Sequence, residues 1–314
     1  MHSFFLLITG FIFLYYGGEL LVRGSVVIAK RARISRLVAG MTVVSFATSS
    51  PELFVSLEAI FNESSDIVLG NIIGSNIANI ALVLGLTSVF FNINISNKTL
   101  FIDYPFLLCS TVVVGFVLYF FGVISAFIGF IFLLFLSSFL YYIIVKSRQE
   151  NDNSIDALVE ENNTSFLKSL LFLFFGIFLL KYGADFLVSS AIDISNYLNI
   201  EERIIAVTVV AIGTSIPELA TSIVAALKKE VDLAVGNIIG SNIFNLLAVL
   251  GTTAIFKDVK VVNSNILSID YFSMLLLTLI FGILIYFFTK GVLDRKKGVL
   301  LVVIYVFYIY FTIK

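Results

Sequence analysis

Ala47-Thr48-Ser49-Ser50-Pro51-Glu52, followed by Gly70-Asn71-Ile72-Ile73-Gly74-Ser75-Asn76-Ile77, recurs 166 positions later as Gly213-Thr214-Ser215-Ile216-Pro217-Glu218 and Gly236-Asn237-Ile238-Ile239-Gly240-Ser241-Asn242-Ile243. The match runs without a gap from Thr42 to Gly85 in one copy and from Thr208 to Gly251 in the other. The same register joins Gly10 to Gly176, Tyr16-Gly17 to Tyr182-Gly183, and Glu19 to Asp185. A period this long is not that of a solenoid. It belongs to a chain built of two related halves.

The residues around this repeat set its surroundings. Of 314 residues, 59% are hydrophobic and 13% charged, with a mean hydropathy of +1.06. A soluble domain carries about 25% charged residues. Apolar runs recur near the roughly 20 residues that cross a bilayer as helix. The sequence therefore predicts an all-α polytopic membrane protein. Ten transmembrane helices are expected, near 3–28, 37–61, 67–91, 100–121, 123–145, 166–190, 203–227, 231–256, 268–289 and 294–313. The polar stretch 146–165 divides five spans (1–145) from five (166–314) and reads as a solvated linker. Basic residues follow the first apolar run rather than precede it, the reverse of a signal peptide. Cys109 lies in an apolar run and reads as a small core residue, and His2 alone supplies imidazole, which excludes histidine metal sites.

Loop charge predicts orientation. Lys30, Arg31, Arg33 and Arg36, then Lys98, Lys146, Arg148, Lys168, Lys228, Lys229, Lys290 and Arg295 to Lys297, fall in alternate loops; the other loops hold only Arg203, Lys257, Lys260 and Lys314. Basic loops stay in the cytoplasm. Both termini are then outside and the linker is cytoplasmic, in the plasma membrane of the cell. Five spans per half is an odd number, so the second half starts from the opposite side. The two repeats are expected to have inverted topology, as in many secondary transporters.

Glu52 and Glu218 sit near the middle of otherwise apolar spans. A charged group there costs about 3 kcal/mol even on the milder insertion scales, and marks a functional site by default. Ser45, Ser49, Glu52 and Ser56 follow the i, i+4, i+7, i+11 spacing of one helical face; Ala211, Ser215, Glu218 and Ser222 repeat it. Pro51 and Pro217 cannot donate to the carbonyls of Ala47 and Gly213, so a kink or break is expected there. The next spans carry Asn71, Ser75 and Asn79, and Asn237, Ser241 and Asn245. Every donor in this set is a hard oxygen. Calcium takes six to eight such oxygens, and sodium takes the same kind. Lys181 is a mid-span cation whose repeat mate is Tyr15; it is expected to reach a water-facing surface or an interface.

At these residues the chain resembles the cation/calcium exchanger superfamily, most closely a prokaryotic sodium/calcium exchanger. The resemblance implies calcium ligation by Glu52 and Glu218, and ligation through side chains or carbonyls of Thr48, Ser49, Thr214 and Ser215. It implies carbonyl ligands from Ser45 and Ala211, sodium ligation by Ser75 and Ser241, and Asn79 and Asn245 at the centre. It also implies that the first and sixth spans slide as a gate, with Gly17, Gly18 and Gly183 easing the motion. Asn245 stands where the family often has Asp, and Ala47 where Gly is usual. The expected activity is exchange of Ca2+ for Na+ by a non-enzymatic antiporter that needs no cofactor and works as a monomer in the lipid bilayer, without nucleic acid. A proton-coupled calcium or cation antiporter, and a cation channel, are the alternatives. The hydroxyl and amide rows favour sodium, since a proton needs only a carboxylate.

Overall fold

The computed structural model describes residues 2–151, 165–197, 213–287 and 291–313. The chain is helical almost throughout: α1 (His2–Ala32), α2 (Arg36–Ala39), α3 (Ser45–Thr48), α4 (Ser50–Phe61), α5 (Ser65–Ala78), α6 (Gly85–Phe90), α7 (Tyr104–Phe121) and α8 (Ala126–Asn151). Then follow α9 (Phe166–Tyr197), α10 (Ile216–Leu227), α11 (Val231–Phe244), α12 (Leu250–Phe256), α13 (Phe272–Tyr286) and α14 (Arg295–Ile313). Among the described residues, seven helical segments are long and apolar enough to cross a membrane, and eight when the pair Arg36–Thr48 and Ser50–Phe61, bent by 42°, counts as one. The protein is a polytopic helical membrane protein, as its composition predicts. The N-terminal part of the predicted span 203–227, with Arg203, Thr208 and Ala211, lies outside the described residues.

Burial separates two kinds of span. In the continuous segment Val231–Phe256, 94% of the most apolar window is buried, and in Ser65–Phe90 72%, against 22% in Phe166–Ile194. The two spans that carry the Gly-Asn-Ile-Ile-Gly-Ser-Asn-Ile motif are therefore the centre of the bundle. Large side chains such as Phe54, Phe116, Phe174 and Phe311 are exposed at the periphery, where lipid rather than water is the solvent. Cys109 is also exposed, not a core residue as its sequence context suggested. An apolar run in a membrane helix does not distinguish the lipid face from the protein face.

Contacts between the two halves recur with the halves' roles exchanged. The Asn76 amide donates to the Asn242 carbonyl (3.3 Å) and the Asn242 amide to the Asn76 carbonyl (3.4 Å). Gly10 lies against the Gly183 backbone, and Gly17 against that of Gly176. The Tyr104 hydroxyl donates to the Thr278 carbonyl and that of Tyr271 to the Thr111 carbonyl. Four two-residue strands, which the sequence did not announce, follow the same rule: β1 (Ile93–Asn94) pairs antiparallel with β4 (Val292–Leu293), and β2 (Val123–Ile124) with β3 (Val259–Lys260). They form where short connections between spans run extended beside each other.

Glycine sets the closest crossing. A Cβ on Gly236 would collide with the Leu37 carbonyl, and one on Gly240 with Ser45 Oγ and the Met41 backbone. Gly40 in turn has Gly236 Cα 3.0 Å from its own Cβ position. The small residues let the segment 36–48 lie directly on α11. Gly236→Ala is expected to lower stability by about 1–3 kcal/mol through overpacking, read as a reduced melting temperature of the detergent-solubilised protein.

Candidate functional site

Both Pro-Glu motifs break their helices in the same way. Ser49 (φ −84°, ψ 1°) and Ser215 (φ −91°, ψ 2°) leave helical geometry, and α4 and α10 restart with proline in their first turn. The break is what a proline without an N–H imposes. It sets Glu52 and Glu218 in the first turns of new helices, where backbone N–H groups point outward and favour negative charge. Both Glu side chains are fully buried.

The central spans bring in the remaining groups. Thr48 Oγ1 donates to Asn237 Oδ1 (3.1 Å) and lies 3.2 Å from Ser241 Oγ. In the other half, Ser75 Oγ lies 3.3 Å from Thr214 Oγ1. Thr48 and Ser241 face the Glu218 carboxylate, and the two carboxylates are close enough to repel each other. Each broken helix is also tied down from behind. The Asn71 amide donates to the Glu52 carbonyl (3.1 Å) and to Ser56 Oγ (3.0 Å), and the Asn237 amide to Ser222 Oγ (3.3 Å).

Many buried polar atoms here have no hydrogen-bond partner among the described residues. They include both carboxylate oxygens of Glu52 and of Glu218, Ser49 Oγ, Ser215 Oγ, and both amide atoms of Asn79 and Asn245. Such atoms are rare in folded proteins, and each calls for an explanation. Two neighbouring buried carboxylates with no cationic side chain beside them among the described residues cannot both stay ionised without a neutralising species, a proton or a metal cation. The unpartnered groups offer oxygen to it, which suits a hard cation.

Of the residues singled out in the sequence, Thr48, Ser49, Glu52, Ser75, Asn79, Ser215, Glu218, Ser241 and Asn245 are buried and Thr214 half-buried, all on the broken helices and the two central spans. Ala211 lies outside the described residues. The Ser45 hydroxyl is engaged elsewhere: it donates to the carbonyls of Gly40 (2.8 Å) and Asn237 (3.0 Å) and joins the helices. Its carbonyl accepts from the Ser49 N–H at 2.9 Å. Sequence reading counted Asn71 and Asn237 among the oxygen donors of the polar face; in the structure their amides brace the broken helices. It also missed the π-helical turns Asn79–Leu84 and Asn245–Val249, which begin at the central Asn residues. Such bulges are frequent at functional sites, and no residue type announces them.

Glu19 and Asp185 serve as ion-pair partners. Glu19 meets Arg23 (2.5 Å) and Lys228 (2.9 Å), and Asp185 meets Lys181 (3.3 Å). Lys181 lines a cavity of about 500 Å³ between α4 and α9 whose lining includes Thr214 and Pro217. It thus borders a cavity rather than the packed interior.

Spans of this kind around paired, unpartnered carboxylates make the chain an integral multi-pass membrane protein with a buried ionisable centre. It belongs to the sodium/calcium exchanger protein family, whose pattern matches residues 2–145 and 168–314. It is 39% identical over 286 residues to the inner membrane protein YrbG of Escherichia coli, covering 89% of this chain and 87% of YrbG. It is 28% identical to the sodium/calcium exchanger MaX1 of Methanosarcina acetivorans, covering 97% of this chain and 96% of that one. Its fold is similar to that of the sodium-calcium exchanger NCX_Mj, solved after soaking with 10 mM Na+ and 10 mM Sr2+: TM-score 0.82, 28% identity, 98% and 97% coverage.

The two braces differ in reach. Asn237 is fully buried, and its amide joins Ser222, Thr48 and Ser241, whereas Asn71 is half-buried. Asn237→Ala is expected to cost about 1–3 kcal/mol, and Asn71→Ala less, because a buried polar group left unpaired carries its full desolvation penalty. Thermal unfolding of the two variants in detergent checks the order.

Proposed function

We propose that the protein exchanges Ca2+ for Na+ across its membrane, by alternating access around Glu52 and Glu218. One observation carries the reading: both carboxylates are fully buried, close enough to repel each other, and without a cationic partner among the described residues. One divalent cation between them gives a centre of no net charge, which a low-dielectric interior tolerates. The carboxylates are the calcium ligands, with Thr48, Ser49, Thr214 and Ser215 beside them through side chains or carbonyls. Carbonyls of Ser45 and Ala211 complete the breaks. Ser75 and Ser241 serve sodium, and Asn79 and Asn245 bring neutral oxygens to the centre. Because the two ions use overlapping oxygens, loading one displaces the other, and that competition is the physical basis of exchange.

Ten spans carry this cycle, as two inverted repeats of five (1–145 and 166–314) joined by a cytoplasmic linker (146–165), with both termini outside. The reciprocal contacts between the halves support the repeat, and helices Ile216–Leu227 and Arg295–Ile313 supply the spans beyond the eight longest. Each chain holds a full ligand set, so the monomer is the working unit. The family match and the kinship with MaX1 and NCX_Mj, both named as sodium/calcium exchangers, support the choice of ions.

Proteoliposomes loaded with sodium and diluted into sodium-free buffer at equal pH are expected to take up radioactive calcium. Glu52→Gln and Glu218→Gln should each reduce the initial rate at least about a hundredfold, since losing one charge of the pair removes several kcal/mol of cation stabilisation. Uptake that ignores sodium and follows an imposed pH gradient would replace sodium coupling with proton coupling. Full flux in both variants would end the assignment of the site.

A further inference from the structure

We propose that Lys181 is a tethered cation that competes with arriving metal cations for the carboxylates at the mouth of the α4–α9 cavity. It thereby limits how readily they reach Glu52 and Glu218 from that side. The proposal deepens the exchange reading and rests on it.

The geometry has three parts. The cavity, about 500 Å³, has a largely apolar lining that includes Val55 of α4, with its charged groups Glu58 of α4 and Lys181 and Asp185 of α9, and with Thr214 and Pro217 beside the second break. Thr214 touches Ser75, so the cavity reaches the ligand set itself. At the charged part of its lining, Lys181 Nζ stands 3.3 Å from Asp185 Oδ2 and 4.9 Å from the Tyr182 ring centroid. Both side chains of that pair are 54% accessible. Neither is locked in by surrounding protein, so the cation is held where it can be displaced.

The charges make the argument. A cleft with low-dielectric walls focuses the field of its lining residues and concentrates counter-ions. Glu58 and Asp185 alone would draw divalent cations in. Lys181 halves that net charge and occupies Asp185. The other half of the molecule shows what an ordinary structural pair looks like. Asp185's repeat mate, Glu19, is held by both Arg23 and Lys228, where α1 closes on α10 and Gly18 meets Val224. Lys181's own mate is Tyr15, so the device exists on one side only.

The test compares wild type, Lys181→Gln, Lys181→Arg, Asp185→Asn and the Lys181→Gln/Asp185→Asn pair in proteoliposomes, in low salt and in about 0.3 M choline chloride, where the Debye length falls to roughly 6 Å. Lys181→Gln is expected to lower KM for Ca2+ presented on the cavity side about three- to tenfold in low salt. kcat should stay within about twofold and KM from the opposite side should not move, since the field acts on arrival from one side. High salt should erase most of the gain. Lys181→Arg should behave as wild type, Asp185→Asn should raise KM, and the pair, which restores the wild-type net charge of the lining, should bring KM back toward the wild-type value.

A second readout does not require exchange. In a Cys109→Ser background, Val55→Cys places a thiol in the cavity lining. Its rate of reaction with a cationic over an anionic methanethiosulfonate should rise several-fold on adding Lys181→Gln and return with Lys181→Arg. An unchanged reagent ratio, or a KM change that Arg does not restore or that salt does not screen, overturns the proposal. If the ratio shifts as expected while even the wild type fails to couple Ca2+ to Na+, the tethered cation stands and the exchange reading falls.

Discussion

Two carboxylates buried together, without a cationic side chain beside them among the described residues, are the constraint on which the rest of the molecule depends. Removing even one ion from water costs several kcal/mol after the protein relaxes, and a second like charge adds repulsion. An ordinary fold would relieve this with a lysine or arginine. Here the basic residues that pair do so away from the centre, as Arg23 and Lys228 do at Glu19 and Lys257 does at Glu63. The local structure works instead to keep the carboxylates ready for a mobile partner. Proline breaks the helix just before each, the first turn of the new helix turns its N–H groups toward them, and Asn71 and Asn237 brace the breaks through Ser56 and Ser222. The result is a site stabilised most when a cation is present, which is the property an ion carrier needs.

The repeat gives that site its second property. Because equivalent contacts recur with roles exchanged, the groups meeting at the centre come in pairs: Thr48 with Ser241, Thr214 with Ser75, and Asn76 with Asn242. Neither half owns the site. A ligand held by oxygens from both halves can pass from one arrangement to the other without losing its partners, provided the two arrangements are near in energy. The inverted arrangement proposed for the two halves provides this by construction. The differences between halves then become informative. Ala211 for Ser45, and Tyr15 for Lys181, are places where the two sides of the cycle need not be equivalent.

Much of the centre was legible in the sequence because its signals are local. Proline fixes a break wherever it stands in a helix, a mid-span glutamate is conspicuous against apolar neighbours, and the i, i+4, i+7 spacing shows which side chains share a face. What was not legible depends on which helices touch. Asn237 reads as one more polar residue until Thr48 is seen against it. Ser45 reads as a carbonyl donor to the site, while its hydroxyl joins the helices through the Gly40 and Asn237 carbonyls. Cys109 looks internal because both faces of a membrane helix are apolar. The π-helical turns at Asn79 and Asn245 arise from packing around the central spans, and no composition marks them.

The contact between α1 and α9 bears most directly on motion. Gly10, Gly17 and Gly24 line one helix seven residues apart and meet Gly183, Gly176 and the Ser169 carbonyl on the other; Cβ atoms at these three glycines would find opposing atoms at 3.0 Å or less. Backbones so close share a surface without large interlocking side chains, the geometry small residues permit. Interdigitated leucines would have to unpack before such a pair could slide, whereas a glycine seam resists only through weak contacts that are remade along the same line. Stronger ties are set at points along the helices rather than throughout the seam, as where Glu19 of α1 meets Lys228 at the end of α10. In the proposed cycle α1 and α9 can therefore slide along this seam, and the energy that decides their position lies in the Glu19–Lys228 tie and in the occupancy of Glu52 and Glu218.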